Sequence, residues 1–294
     1  MDNLLKHHTN FKFGGPAKKI ITAKSEAELI GALADLKFKK TKYYILGGGT
    51  NIIANDKGYD GVIVKIATGN LKISGKKIIC EAGLPLGKLV SAANSAGLSG
   101  LETLAGIPGT VGGAIYGNAG AYGRKISEFL KKVKIFDGKN SRWLPQTSCG
   151  FKYRESVFSA KGGPASGGKK KPWVILSASF KLIKGDAKKL IKKSREIIKI
   201  REKKYKPNLR CAGSIFKNVL VEGGKIPAGS LLESIGAKGM RIGGVYVPHQ
   251  HANLIINNGR GKAADAKKLI DILKKKVYRE YGIRLEEEVQ YLGF

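Results

Sequence analysis

Acidic residues are scarce in this chain: 22 Asp and Glu stand against 54 Lys and Arg, a formal net charge of +32. Cysteine is scarcer still. Cys80, Cys149 and Cys211 are odd in number and far apart, which fits neither a disulfide framework nor a zinc-ligand spacing and points to reduced thiols. Long apolar runs are missing, and none approaches the ~20 residues that a transmembrane helix needs. The first residues, MDNLLKHHTNFKFGGPAKK, show neither an apolar core nor a small-residue cleavage site, so no secretory signal is expected. These absences leave a cytoplasmic enzyme or binding protein as the expected class.

What is plentiful is glycine, with 40 residues, beside a hydrophobic fraction of 42% in 294 residues. That length exceeds the usual single domain, so two or three domains sharing a cleft are expected. The positive charge attracts polyanions, yet its distribution argues against nucleic acid as the main partner. In the basic stretch 181–206 the lysines interrupt an apolar spacing of Leu190, Ile191, Ser194, Ile197 and Ile198. That is the solvated face of an amphipathic helix. No base-stacking aromatic pattern or helix-turn-helix accompanies it.

Ser25 with Glu28 forms a capping box that predicts a helix to about Leu36. Strands are predicted over 43–46, 61–66, 77–81 and 173–180. Helices are predicted from Pro85 to Gly97, over 186–204, over 228–235, and from about Ala266 to Tyr281 with Gly282 as its stop. Further strands are expected near 240–247, 252–257 and 283–292. Tyr205-Lys-Pro-Asn208 reads as a domain boundary, and 161–171 as a low-complexity surface loop. Helices and strands mix without a βαβ rhythm, so the expected class is α+β.

Two glycine-rich stretches, 47–51 and 106–123, suggest a phosphate-bearing cofactor, because glycine permits close backbone approach and successive N–H groups form an anion nest. Neither carries G-x-G-x-x-G order or a P-loop ending. His249 and His251 lack a carboxylate or cysteine pattern around them, so no metal site is expected.

The wording of the two stretches is more specific. Leu46-Gly-Gly-Gly-Thr-Asn51 with Gly58-Tyr-Asp-Gly-Val-Ile63 resembles the first pyrophosphate loop of flavoproteins of the vanillyl-alcohol-oxidase/PCMH type. Ala105-Gly-Ile-Pro-Gly-Thr-Val-Gly-Gly-Ala114 and Gly117-Asn-Ala-Gly-Ala-Tyr-Gly123 resemble the second. Within that superfamily the chain is similar to the UDP-N-acetylenolpyruvoylglucosamine reductase (MurB) family over nearly its whole length. The resemblance implies a two-lobed FAD-binding domain over 1–204, its lobes about 1–66 and 67–204, and a C-terminal α+β substrate-binding domain over 205–294. Non-covalent FAD would be held by Gly47, Gly48, Gly49, Thr50 and Asn51, and by Gly106, Ile107, Pro108, Gly109, Thr110, Gly112, Gly113, Asn118, Ala119 and Gly120.

The implied activity takes electrons from NADPH and reduces UDP-N-acetylglucosamine enolpyruvate to UDP-N-acetylmuramate, a cytoplasmic step of peptidoglycan precursor synthesis. Tyr153-Arg154-Glu-Ser-Val-Phe158 resembles the family's Y-R-x-S-x-F, which makes Arg154 the carboxylate clamp, with Tyr153 beside it. Gly213-Ser214-Ile-Phe-Lys-Asn218 resembles G-S-x-F-K-N. There Ser214 is the general acid, and Lys217 and Asn218 place the UDP diphosphate. In Leu285-Glu-Glu-Glu-Val289, Glu288 aligns with the family's catalytic glutamate, while Glu287 falls on the apolar face where the family often has proline.

Three departures stand out. Val219 replaces a usual proline, Val247-Pro-His-Gln-His251 replaces Val-Ser-Glu-Lys-His, and 161–171 is longer than in the shorter subclass, which lacks a tyrosine-bearing substrate loop. A monomer is expected. Two rival readings stay open: another flavin oxidoreductase of the same fold, and a polyanion-binding protein that keeps the fold.

Overall fold

The computed structural model describes residues 3–159 and 173–294, so the expected loop at 161–171 lies outside the described residues. The chain forms two compact units. One comprises Lys19–Gly48 and Gly61–Arg201, the other Met1–Lys18, Gly49–Asp60 and Glu202–Phe294.

The unit containing Gly61–Arg201 is built on a five-stranded antiparallel sheet. Its strands run in the order Ser141–Pro145, Leu130–Phe136, Val174–Lys181, Lys77–Glu81, Leu71–Ser74. Val174–Lys181 is buried along almost its whole length, as a central strand covered on both faces must be. A second sheet orders Ala17–Ala23, Tyr59–Ile66, Tyr43–Leu46, with the last two parallel. Helix α1 (Glu26–Phe38) starts where the capping pattern predicts: Ser25 Oγ accepts from Glu28 N–H at 3.1 Å, and Glu28 Oε2 accepts from Lys24 N–H at 2.8 Å. Helix α2 (Leu86–Ser95) has Pro85 as its cap, and the six-residue α3 (Val111–Tyr116) sits inside the second glycine stretch. Helix α4 (Ala187–Lys204) turns Leu190, Ser194 and Ile197 inward and leaves its lysines outside, as the apolar spacing predicts. One core joins Val64, Ile78, Leu89, Ile115, Val133 and Phe180.

The other unit packs α5 (Ala228–Ser234) and α6 (Ala263–Tyr281) against short strands. Helix α6 buries Ala266, Leu269, Ile270, Leu273 and Val277, and Gly282 closes it at φ +66. Phe11 and Phe13, ring centroids 4.4 Å apart, join the same core with Ile53 and Phe216. The expected strand over 283–292 is regular only at Gln290–Leu292, which pairs in parallel with Ile52–Ala54. The expected strand over 252–257 shortens to Ile256–Asn257, beside a hairpin of Arg241–Ile242 and Val245–Tyr246. The three cysteines are unpaired and buried, and burial pushes the Cys80 thiol up to about 12 and that of Cys149 to about 11. Among the described residues no helix is long and apolar enough to cross a membrane.

Candidate active site

Both glycine stretches meet in the unit that holds Gly61–Arg201. The strand Tyr43–Leu46 ends at Leu46 and delivers Gly47 and Gly48 against the second stretch. A Cβ on Gly47 would stand 2.8 Å from Thr110 Oγ1, and one on Gly48 would stand 2.9 Å from Gly109 Cα. Any larger residue would force the two loops apart. The second loop is anchored by main-chain bonds: Leu86 N to Gly109 O at 2.9 Å, Val111 N to Leu84 O at 2.9 Å and Gly112 N to Ala82 O at 2.8 Å. Thr110 caps α3 by accepting from Gly113 N–H at 3.3 Å. Ile107 N–H donates to Leu104 O at 3.1 Å and Ala119 N–H to Ala114 O at 2.7 Å, while Gly120 pairs with Lys125. Pro108 is exposed.

Asn118 joins this loop to the predicted carboxylate clamp. Its Nδ2 donates to Lys152 O at 2.8 Å. Lys152 and Glu155 exchange backbone hydrogen bonds of 3.0 and 3.3 Å, which makes Tyr153-Arg154 the tip of a tight turn. Ser156 Oγ donates to Tyr116 O at 2.7 Å and holds the turn from the other side. Asn118 (φ +43) and Arg154 (φ +57) both adopt the left-handed conformation without being glycine. Such backbone costs on the order of 1–3 kcal/mol and gathers at functional sites. The Arg154 guanidinium lies 5.4 Å from the Tyr153 ring centroid.

Two of these features fit a flavin dinucleotide. The glycine cradle lets main chain approach a diphosphate closely, and Asn118 Oδ1 is buried without a hydrogen-bond partner among the described residues. A buried acceptor left in that state is costly unless a ligand donates to it.

The remaining predicted residues lie in the unit that holds Glu202–Phe294. The first glycine stretch enters this unit at Gly49 (φ +64), where any Cβ would collide with His8 O, and Asn10 N–H donates to Gly49 O at 2.9 Å. Thr50 is half-buried. Asn51 Nδ2 then donates to Glu288 O at 2.9 Å, Gln290 N–H donates to Asn51 O at 3.0 Å, and Glu288 N–H donates to Ile215 O at 2.8 Å. The end of the glycine loop, the residue after Ser214 and the main chain of Glu288 are thereby one hydrogen-bonded group.

The Ser214 loop is pinned on two sides. Lys217 N–H donates to Glu286 O at 2.8 Å on one side. On the other, buried Asn253 accepts from Phe216 N–H and donates to Phe216 O, both at 2.9 Å. Tyr205 Oη stands 3.2 Å from Ser214 Oγ. The His251 ring meets the Tyr205 ring edge-on, centroids 5.8 Å apart, and burial, then Lys204, lowers the His251 pKa. In residue order Tyr205 reads only as part of the boundary 205–208, and Asn253 carries no signal of its own. Nothing in residue spacing announces either contact.

Three further side chains acquire partners here. Lys217 Nζ is 2.8 Å from Glu286 Oε1, and Asn218 Oδ1 accepts from Ala228 N–H at 3.2 Å, at the start of α5. Glu287, which had no sequence account, pairs with Lys274 of α6 at 2.6 Å. Burial, and then the neighbouring Glu287 carboxylate, raises the Tyr291 hydroxyl pKa. Among the described residues no three His, Cys, Asp or Glu gather as a metal would require.

Comparison with known proteins agrees with this geometry. Residues 205–292 match the family model for the UDP-N-acetylenolpyruvoylglucosamine reductase C-terminal domain, and residues 17–143 match an FAD binding domain. The UDP-N-acetylenolpyruvoylglucosamine reductase of Solibacter usitatus is 42% identical, with 98% of this chain and 95% of that protein covered. The protein of the same name from Pseudothermotoga lettingae is 37% identical over 99% and 96%. The crystal structure of the Thermus caldophilus enzyme superimposes with a TM-score of 0.80 at 30% identity, covering 98% of this chain and 97% of that one. The chain belongs to the UDP-N-acetylenolpyruvoylglucosamine reductase (MurB) family.

Proposed function

We propose that this chain reduces UDP-N-acetylglucosamine enolpyruvate to UDP-N-acetylmuramate with NADPH, in the cytoplasm, as a monomer, and that nucleic acid is not its partner. Residues 1–204 serve FAD in this reading and residues 205–294 serve the substrate. FAD, when bound, would supply the redox chemistry between NADPH and the enolpyruvyl double bond. The two glycine loops, with Asn118 as acceptor, hold the dinucleotide. Arg154 grips the enolpyruvyl carboxylate, since a guanidinium fork stays charged and binds both oxygens. Negative charge grows toward that carboxylate as the double bond is reduced, so a cation placed there favours the transition state over the ground state. Ser214 then gives its hydroxyl proton to the carbon beside the carboxylate, and Glu288 assists from the segment hydrogen-bonded to the serine loop. Tyr153, Lys217 and Asn218 position the remainder of the substrate.

The observation that carries this reading is the bonded group Asn51–Glu288–Ile215, because it ties a cofactor-loop residue to the main chain of Glu288 and to the residue after Ser214 through bonds of 2.9 and 2.8 Å. The test is stopped-flow spectroscopy of the purified holoprotein. NADPH should bleach the flavin band near ~450 nm, a property of the cofactor itself, and the enolpyruvyl UDP-sugar should restore it. Protein without bound flavin, or reduced flavin that the sugar fails to reoxidise, would overturn the assignment.

A further inference from the structure

A serine hydroxyl is a weak acid, and it delivers a proton only if the negative charge left on its oxygen is stabilised as the proton leaves. A side-chain group placed to do so is the phenol of Tyr205, 3.2 Å from Ser214 Oγ, where either oxygen can donate in the resting state. Tyr205 is held in place from two directions. It directly follows α4, and Pro207 and Asn208 (φ +63) turn the chain just after it. Its ring is met edge-on by His251, with an interplanar angle of 84°. His251 is itself fixed, because its main chain bonds Pro248 O and Leu254 N and because Gly229 packs closely against it: a Cβ there would lie 3.2 Å from His251 Cε1, a tight contact.

We propose that Tyr205 is a positioning residue for the acid. Its hydroxyl donates to Ser214 Oγ while the serine proton moves to the substrate carbon. This inference rests on the assignment of Ser214 as the acid and names how that acid is made competent. The proton balance is simple: one C–H bond forms as the serine O–H breaks, the phenol proton replaces the serine proton, and water replaces the phenol proton. His251 acts one step further back, by holding the ring.

Tyr205→Phe keeps the ring and its contact with His251 and removes only the oxygen, so the fold should survive, which the thermal midpoint of the holoenzyme checks. In stopped-flow, NADPH should reduce the flavin of Tyr205→Phe at the parent rate. Reoxidation by saturating enolpyruvyl UDP-sugar should slow by about 10–100-fold, within the range expected for a proton-transfer partner. KM should stay unchanged, and the solvent deuterium isotope effect on reoxidation should rise, because proton delivery becomes the slow step. A role in packing alone would not produce that rise. The double variant Tyr205→Phe/Ser214→Ala should be no slower than Ser214→Ala, since the tyrosine acts only through the serine. Parent-rate reoxidation in Tyr205→Phe, with Ser214→Ala slow, would overturn the inference and leave the acid assignment standing. Parent-rate reoxidation in Ser214→Ala would overturn both.

Discussion

Asn51 Nδ2 donates to the backbone carbonyl of Glu288 at 2.9 Å across 237 residues of chain. Asn51→Ala should cost about 1 kcal/mol of stability, the usual net worth of one such bond, and should lower turnover because Glu288 loses an anchor. Asn51→Asp should be worse, since a carboxylate cannot donate and places its charge beside a carbonyl. Denaturant titration and steady-state assays of the two variants read both effects, and equal behaviour would remove the amide from this role.

Arg154 carries a second, opposed pair of expectations. At φ +57 its backbone favours glycine, so Arg154→Gly should fold at least as stably as the parent while losing turnover. Arg154→Lys keeps the charge but loses the fork, and kcat/KM should fall by about 10-fold or more, the loss expected when a bidentate contact becomes a point charge. Thermal midpoints set against kcat/KM check this trade of stability for function, and a destabilised glycine variant would contradict it.

The Glu287–Lys274 pair fastens the segment that carries Glu288 to α6, with the glutamate side chain only 17% exposed. Glu287→Ala leaves the half-buried Lys274 ammonium without that carboxylate. The expected cost is about 1–3 kcal/mol, read by chemical denaturation. A neutral result would assign the pair to the solvated surface.

Glu102 contributes to acid sensitivity in the other unit. Burial alone would raise its carboxyl, but the N–H of Gly100 and the Lys193 ammonium at 2.9 Å hold it below the usual carboxylate value. A carboxylate whose folded pKa is depressed adds stability above its unfolded pKa and loses it as pH falls through the folded one. Stability measured from pH 6 down to about 3 should therefore decline, and Glu102→Gln should flatten that decline. An unchanged slope would contradict the assignment. His251 acts in the same direction: its lowered pKa keeps it neutral when folded, so its contribution fades as pH drops below about 6.5.

Much of this architecture is legible in residue order, and what is not has physical causes. The helices showed because period and cap agree, as at Ser25–Glu28 and at Gly282. The strand Leu130–Phe136 did not, because its lysines and two register shifts break the alternation of Leu130, Val133, Ile135 and Phe136. Helix α3 was invisible because Val-Gly-Gly-Ala-Ile-Tyr has little helix propensity; the Thr110 cap and the burial of Val111, Ala114 and Ile115 sustain it. At the site, motif wording pointed to Arg154, Ser214 and Glu288. The Tyr205–Ser214 contact was hidden because a turn at Pro207 brings together groups that look like linker and loop.

Ser214→Ala offers the most direct measurement, made by mixing NADPH-reduced enzyme with the enolpyruvyl UDP-sugar and following the return of flavin absorbance. The account predicts parent-rate reduction by NADPH and reoxidation slower by about 100-fold or more, the effect of losing a positioned acid. Reoxidation at the parent rate would contradict it.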